Sequence, residues 1–386
     1  MEDRISGAID SHTLRFSGRG AEYFPIWLVN VVCTVLTCGL FYPWAVVRTR
    51  QYFYRHSALA GYRFDYHASG SMLFPGWLML MGFAVLLWVA SMAGWLVVLP
   101  VALAVIAGPL LLIRGYRFQL QMTSLNGTRF NHYAPDALAW RMLAGIPLLC
   151  AVIIALFIGL AAAKYMQVYT SSALIYGLLF WPILLVPLVL TAVYGIYRVQ
   201  RLLLLFSQLR YGEMAFSCSL SRVKLGGIFI VAVLAAGVLY IMPELALAEF
   251  MYNRDNVGEE EKVALMIVTG PLALYLALSV GYGWLWAMTR RHVYHSLSLQ
   301  GAMHFASHAR AGRLIWIIFS NMLLCGLTSG LFWPWAKVRL ARYLQANTVV
   351  NGELSGLMAL QNHGEQPDCA LASRLSRGLS LLSFSL

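Results

Sequence analysis

Apolar residues in this chain come in long blocks separated by short basic stretches. A polar stretch, 1–24, precedes a first apolar run at 25–47. Within that stretch Leu14-Arg15-Phe16-Ser17-Gly18 alternates and predicts a short strand. The block 72–113 is twice the length of one membrane crossing, and Gly94 and Pro100 near its middle predict two helices in a tight hairpin, 72–93 and 95–113. Two helices are predicted at 138–162 and 173–197, joined by a polar loop from Lys164 to Ser172. Two more, at 225–250 and 264–289, are joined by an acidic loop containing Glu259, Glu260 and Glu261. A last apolar run covers 314–336, and basic segments lie at 48–71, 114–137, 198–224 and 290–313. The domain reading is a polar, cytoplasmic N-terminus (1–24), one helical membrane domain (25–338) and a cytoplasmic tail (339–386).

Composition sharpens this picture. The chain is 60% hydrophobic and 11% charged, against roughly 25% charged for soluble domains. The predicted class is an all-α polytopic membrane protein with eight hydrophobic segments. Six are spans and two are Gly/Pro-broken segments, with short β-hairpin-like cytoplasmic segments between helices. No small-residue cleavage site follows the first apolar run, so that run is expected to stay as the first membrane element. The net charge of +12 would suggest nucleic acid in a soluble protein. Here Lys and Arg gather in the termini and basic segments, with Arg141 interfacial and only Lys164, Arg254 and Lys262 elsewhere. That is the pattern of loops retained in the cytoplasm, and no nucleic-acid partner is expected.

The first and last apolar runs carry the same words. Gly39-Leu40-Phe41-Tyr42-Pro43-Trp44-Ala45 is answered by Gly330-Leu331-Phe332-Trp333-Pro334-Trp335-Ala336 at a constant offset of 291 residues. The same offset pairs Asn30 with Asn321, Thr37 with Thr328 and Gly61 with Gly352. This is read as an internal repeat. If both runs cross once, the termini lie outside and homologous Arg-rich flanks fall on opposite sides, against the charge rule. If both enter and return, Gly39 and Pro43, with Gly330 and Pro334, break the helix at membrane depth, which is tolerated in protein or beside a water-filled cavity. Both readings stand at the level of sequence.

A shorter pattern recurs: Arg48/Tyr52/Gly61, Arg114/Phe118/Gly127 and Arg339/Tyr343/Gly352. The Arg and aromatic, four apart, share a helical face that suits the lipid headgroup layer. Strand-like sequence follows each. Asn126-Gly127 is a strong hairpin signal, echoed by Asn351-Gly352 and by Gly61. Weaker relatives lie at 208–216 and 297–305. These hairpins either pair into one small sheet or stand as separate interfacial loops.

Taken together, Gly39 through Ala45, Tyr52 through Gly61-Tyr62-Arg63-Phe64, Met122 through Phe130, and the tail elements Glu365-Gln366-Pro367-Asp368 and Ser376-Arg377-Gly378 resemble the YjgN family of bacterial inner-membrane proteins, a domain of unknown function. The resemblance runs nearly end to end. It implies a multi-pass protein of the bacterial inner membrane and brings no catalytic or binding residues with it.

Candidate chemistry is sparse. His292/His295 and His304/His308 have ligand spacing, but neither pair has a nearby carboxylate or Cys to complete a metal site. The six cysteines are scattered. Glu244 and Glu249 lie near one end of a predicted helix, where a solvated interfacial position competes with a proton relay. Nucleotide, nucleophile and zinc-protease motifs are absent, so no catalysis and no cofactor are expected. The candidate functional positions are therefore the repeat residues Asn30, Gly39, Pro43, Trp44, Asn321, Gly330, Pro334 and Trp335, with the hairpin turns Gly61, Asn126, Gly127, Asn351 and Gly352. Expected partners are membrane lipid and a protein on the cytoplasmic face. The expected role is a non-catalytic scaffold, assembly or lipid-interacting protein. The alternative is a small-solute transporter or channel built around Pro43 and Pro334.

Overall fold

Each stretch of strand feeds a pair of helices, and each pair of helices returns to strand. The computed structural model describes residues 11–145, 193–252, 258–300 and 303–352, with residues 152 and 191. The strands are β1 (Ser11–Phe16), β2 (Ser57–Leu59), β3 (Tyr62–Tyr66), β4 (Thr123–Leu125), β5 (Thr128–His132), β6 (Leu209–Tyr211), β7 (Met214–Cys218), β8 (Leu297–Leu299), β9 (Met303–Ser307) and β10 (Thr348–Asn351). The helices are α1 (Gly20–Leu36), α2 (Tyr42–Arg55), α3 (Gly70–Met92), α4 (Val98–Gln121), α7 (Arg222–Tyr252), α8 (Glu259–His295), α9 (Ala311–Leu327) and α10 (Trp333–Ala346). Between α4 and α7, residues 136–145 (α5) and 193–207 (α6) are helical. Most of the helices expected at 138–162 and 173–197, the loop from Lys164 to Ser172 and the tail motifs lie outside the described residues.

The expected all-α class with eight hydrophobic segments is corrected here. The strands form a closed antiparallel barrel in the order β1-β10-β9-β8-β7-β6-β5-β4-β3-β2. Among the described residues four helices, not eight, are long and apolar enough to cross a membrane: Gly70–Met92, Gly94–Gln121, Arg222–Met251 and Glu260–His295. The first and last apolar runs instead form the 17-residue helices α1 and α9, each followed by a turn and a second helix.

Of the two readings given for the hairpins, one joint sheet is what forms; its closure into a barrel was not expected, because several strands are three residues long, too short for alternation to register. Their turns are legible. Ala60 and Gly61 have φ of +49° and +89°, and Asn126 and Gly127 have +50° and +79°. These are the two left-handed positions that a tight hairpin turn requires. Gly352, just after β10, has φ +140°.

One backbone bond recurs where each strand element passes to the next. The N–H of Ser17 donates to the His56 carbonyl, His67 to Met122, Tyr133 to Gln208, Ser219 to Ser296 and His308 to Asn347, at 2.8–3.1 Å.

The chain divides into two compact units. The first holds Met1–Val32, Arg48–Asp65 and Ser217–Ala359, and the second holds Cys33–Val47, Tyr66–Phe216 and Leu360–Leu386. In the first unit one cluster joins Ala287 of α8 to Leu314 and Ile318 of α9 and Leu344 of α10. A second joins Tyr23 of α1, Tyr52 of α2 and Val338 of α10. In the second unit Ile113, Ala139, Leu143, Leu204 and Leu205 pack α4 against α5 and α6. Leu314 is fully buried, and a side chain of that size stabilises by about 2–3 kcal/mol.

Candidate functional site

The runs that match in sequence fold into matching helical elbows. After α1, Cys38 and Gly39 take φ of +48° and +89°; after α9, Ser329 and Gly330 take +50° and +90°. Glycine answers the second of these positions because a Cβ there clashes with the following carbonyl. The N–H of Gly39 donates to Thr34 O and that of Gly330 to Cys325 O, both at 2.7 Å. Thr37 Oγ1 donates to Cys33 O (2.7 Å) and accepts from the N–H of Phe41 (2.9 Å). Thr328 Oγ1 donates to Leu324 O (2.7 Å) and accepts from Phe332 (3.0 Å). Each threonine thus satisfies the end of one helix and the start of the next.

Both runs return to the point they left. Phe16, just before α1, pairs with Ser57, just after α2. Ser307, just before α9, pairs with Thr348, just after α10. The apolar part of α1, Phe24–Leu36, rises about 20 Å, less than the roughly 30 Å of a hydrocarbon core. Neither run therefore forms one continuous helix long enough to cross.

Pro43 and Pro334 are buried near the starts of α2 and α10. A proline's missing N–H costs nothing in a helix's first turn, so they start the returning helices rather than kink a long one. Trp44 packs on Gly70, at the start of α3, and Trp335 on Gly20, at the start of α1; a Cβ on either glycine would overlap the indole. Asn30 and Asn321 are both buried. Asn321 Nδ2 donates to Ala336 O (3.1 Å), while Arg339 Nη1 donates to Asn321 Oδ1 (3.2 Å) and Ser320 Oγ (2.8 Å). This clasp ties α9 to α10 and neutralises a cation's cost by hydrogen bonds within the hairpin. Lys337 lies over the Trp333 ring at 5.4 Å.

The aromatics read as headgroup anchors are placed otherwise. Tyr52 and Phe118 are buried core residues. The Tyr52 hydroxyl accepts from the N–H of Arg19 and donates to its carbonyl, both at 2.9 Å. Tyr343 does the same to Arg310, at 2.9 and 3.2 Å. Only the shared offset of Tyr52 and Tyr343 signalled this in the sequence; the backbone partners carry no sequence mark.

His304 is an exposed residue of β9, and His295 meets His308 edge-on at 6.2 Å. Among the described residues no group of three His, Cys, Asp or Glu converges for a metal. Glu244, on α7, is half-buried beside Gly270 of α8, with one carboxylate oxygen lacking a hydrogen-bond partner. His132 at the end of β5 is fully buried, its Nε2 3.1 Å from Leu204 O. Burial pushes its imidazole down to about 4, partly countered by that carbonyl and aided by Arg117. The turn positions Gly61, Asn126 and Gly127 link β2 to β3 and β4 to β5, while Asn351 is the last residue of β10 and Gly352 follows it.

Comparison with known proteins finds relatives along nearly the whole chain. The family described as "Bacterial protein of unknown function (DUF898)" matches residues 11–376. The chain is 26% identical to the inner membrane protein YjgN of Escherichia coli K12, with 96% of each chain covered. It is 27% identical to the same-named protein of Salmonella typhimurium LT2, covering 96% of this chain and 95% of that one. No solved structure matches.

Proposed function

This chain belongs to the DUF898 family of bacterial proteins and resides in the inner membrane, and we propose that it is a non-catalytic scaffold there. Its strands would lie on the cytoplasmic face, held against lipid headgroups, where a protein partner could dock. The two elbow hairpins, read as an internal repeat, would anchor that face from one side of the bilayer. The observation that supports this reading is the clasp of Asn321, Arg339 and Ala336. In a transporter, polar groups at broken segments line a path for solute. Here the polar groups of Thr37, Thr328 and Asn321 bond within their own hairpins. The absence of catalysis rests on the sequence, which carries no nucleotide, nucleophile or zinc-protease motif.

Two measurements test it together. Single cysteines at Ser11, Ser57 and Ser298, in a background without native cysteines, are exposed to an impermeant thiol reagent in intact cells. All three are expected to be protected. Proteoliposomes are then assayed for flux of monovalent ions, phosphate and amino acids, with none expected above protein-free vesicles. Labelling at any of the three sites removes the cytoplasmic platform. Flux abolished by Asn30→Leu with Asn321→Leu would replace the scaffold with a transporter.

A further inference from the structure

The two elbow hairpins differ at their feet in one respect: charge. Beside the first, Glu22 stands between a guanidinium and an imidazole, with Oε1 3.9 Å from Arg19 Nε and Oε2 4.0 Å from His56 Nε2. The second foot has the same backbone. His308 bonds to Asn347 as Ser17 bonds to His56, and Tyr343 clamps Arg310 as Tyr52 clamps Arg19. At the offset of 291, however, Arg313 occupies the place of Glu22. The carboxylate that neutralises the first foot is replaced by a third cationic or protonatable group.

The result is an open hollow of about 410 Å³ lined by His308, Arg310, Arg313, Tyr343 and Asn347. His308, Arg310 and Arg313 are exposed. Among the described residues neither guanidinium makes an ion pair or a side-chain hydrogen bond. Arg310 is the N-cap of α9, and Arg313 lies in its first turn. Both cations thus stand at the positive end of a helix dipole, where an anion, not a cation, is stabilised. Two forked guanidiniums beside a histidine match the oxygens of a phosphate group.

We propose that this hollow binds a phosphate-bearing anion, which takes the place that the Glu22 carboxylate holds in the first foot. The site does not depend on the scaffold reading. A lipid headgroup and a free phosphate present the same chemistry, and the experiment separates them.

The purified full-length chain is dialysed to equilibrium against radiolabelled inorganic phosphate. It is held in detergent, in discs of phosphatidylcholine, or in discs of an equimolar mixture with phosphatidylglycerol. In detergent the wild type is expected to bind one phosphate. Arg313→Glu places at the second foot the carboxylate that Glu22 supplies at the first and is expected to fold, as judged by thermal unfolding, while losing affinity by about tenfold or more. Glu22→Arg is expected to create a second phosphate site. Competition only in the phosphatidylglycerol discs identifies the lipid headgroup as the ligand; binding equal in both discs identifies a soluble phosphate. A wild type that binds no phosphate, or an Arg313→Glu chain that binds as well as the wild type, overturns the site. Neither result bears on sidedness or flux, so the scaffold stands or falls separately.

Discussion

The Tyr343 hydroxyl accepts from the N–H of Arg310 and donates to its carbonyl, holding both backbone groups of one residue. Tyr52 holds Arg19 in the same way. Arg310 and Arg19 each immediately precede a helical hairpin, and the tyrosine comes from its returning helix. One hydroxyl therefore fixes where the hairpin starts relative to where it ends. Tyr343→Phe keeps the ring and removes both bonds. The expected loss is about 1–3 kcal/mol, read as a lower thermal midpoint in detergent, with faster amide exchange confined to the start of α9. An unchanged midpoint and exchange pattern would show that the clamp is idle.

The elbows rest on backbone conformations that only a few residues adopt. Gly330→Val places a β-branched side chain at φ +90°, at a cost of about 1–3 kcal/mol. Thr328→Val is nearly isosteric but removes the bond to Phe332 N–H, costing about 1 kcal/mol. Serine at the same site should recover most of that loss. Thermal midpoints of the three variants check the order: valine at Gly330 lowest, valine at Thr328 between, serine near wild type.

Trp335 leaves no room for a Cβ on Gly20, nor Trp44 for one on Gly70. Gly20→Ala should destabilise by roughly 1–3 kcal/mol through overpacking. Combined with Trp335→Leu, the alanine should cost much less than it does alone. A double-mutant cycle measures this coupling; additive effects would mean that the indole shifts freely.

His132 makes stability depend on pH. Its imidazole titrates near 4 in the fold and near 6.5 unfolded. The unfolded chain therefore binds more protons between those values. Its contribution is fully present above pH 6.5 and is lost as pH falls through the folded value, by an amount of order 3 kcal/mol. Thermal unfolding from pH 7.5 down to 4.5 should fall more steeply for wild type than for His132→Asn. Parallel profiles would assign the acid sensitivity elsewhere.

Much of this fold could be read from one chain because its signals are local. Gly39 and Gly330 mark left-handed turns, Asn126-Gly127 marks a hairpin, and the blocks from Gly70 to Gln121 have the length and apolarity of two crossings. The constant offset also flagged Thr37, Thr328 and Asn321, whose bonds shape the elbows and the clasp. The apolar runs at 25–47 and 314–336 were ambiguous in sequence. Length cannot tell one crossing from a helix, an elbow and the first turn of a second helix.

What the sequence by itself determined is the set of pieces: which stretches avoid water and where the backbone must turn. These follow from side-chain transfer energies and from φ restrictions, both properties of neighbouring residues. Only the tertiary structure decided which strand lies beside which. Pairs such as Phe16 with Ser57 and Ser307 with Thr348 are brought together by the helices between them. Three-residue strands have too few side chains to specify a partner, so the returning helical hairpins choose it. The hollow at Arg310 and Arg313 was hidden for the same reason. Its meaning lies in the carboxylate that Glu22 supplies at the other foot, and the fold had to set both feet in the same geometry before that difference in charge could be seen.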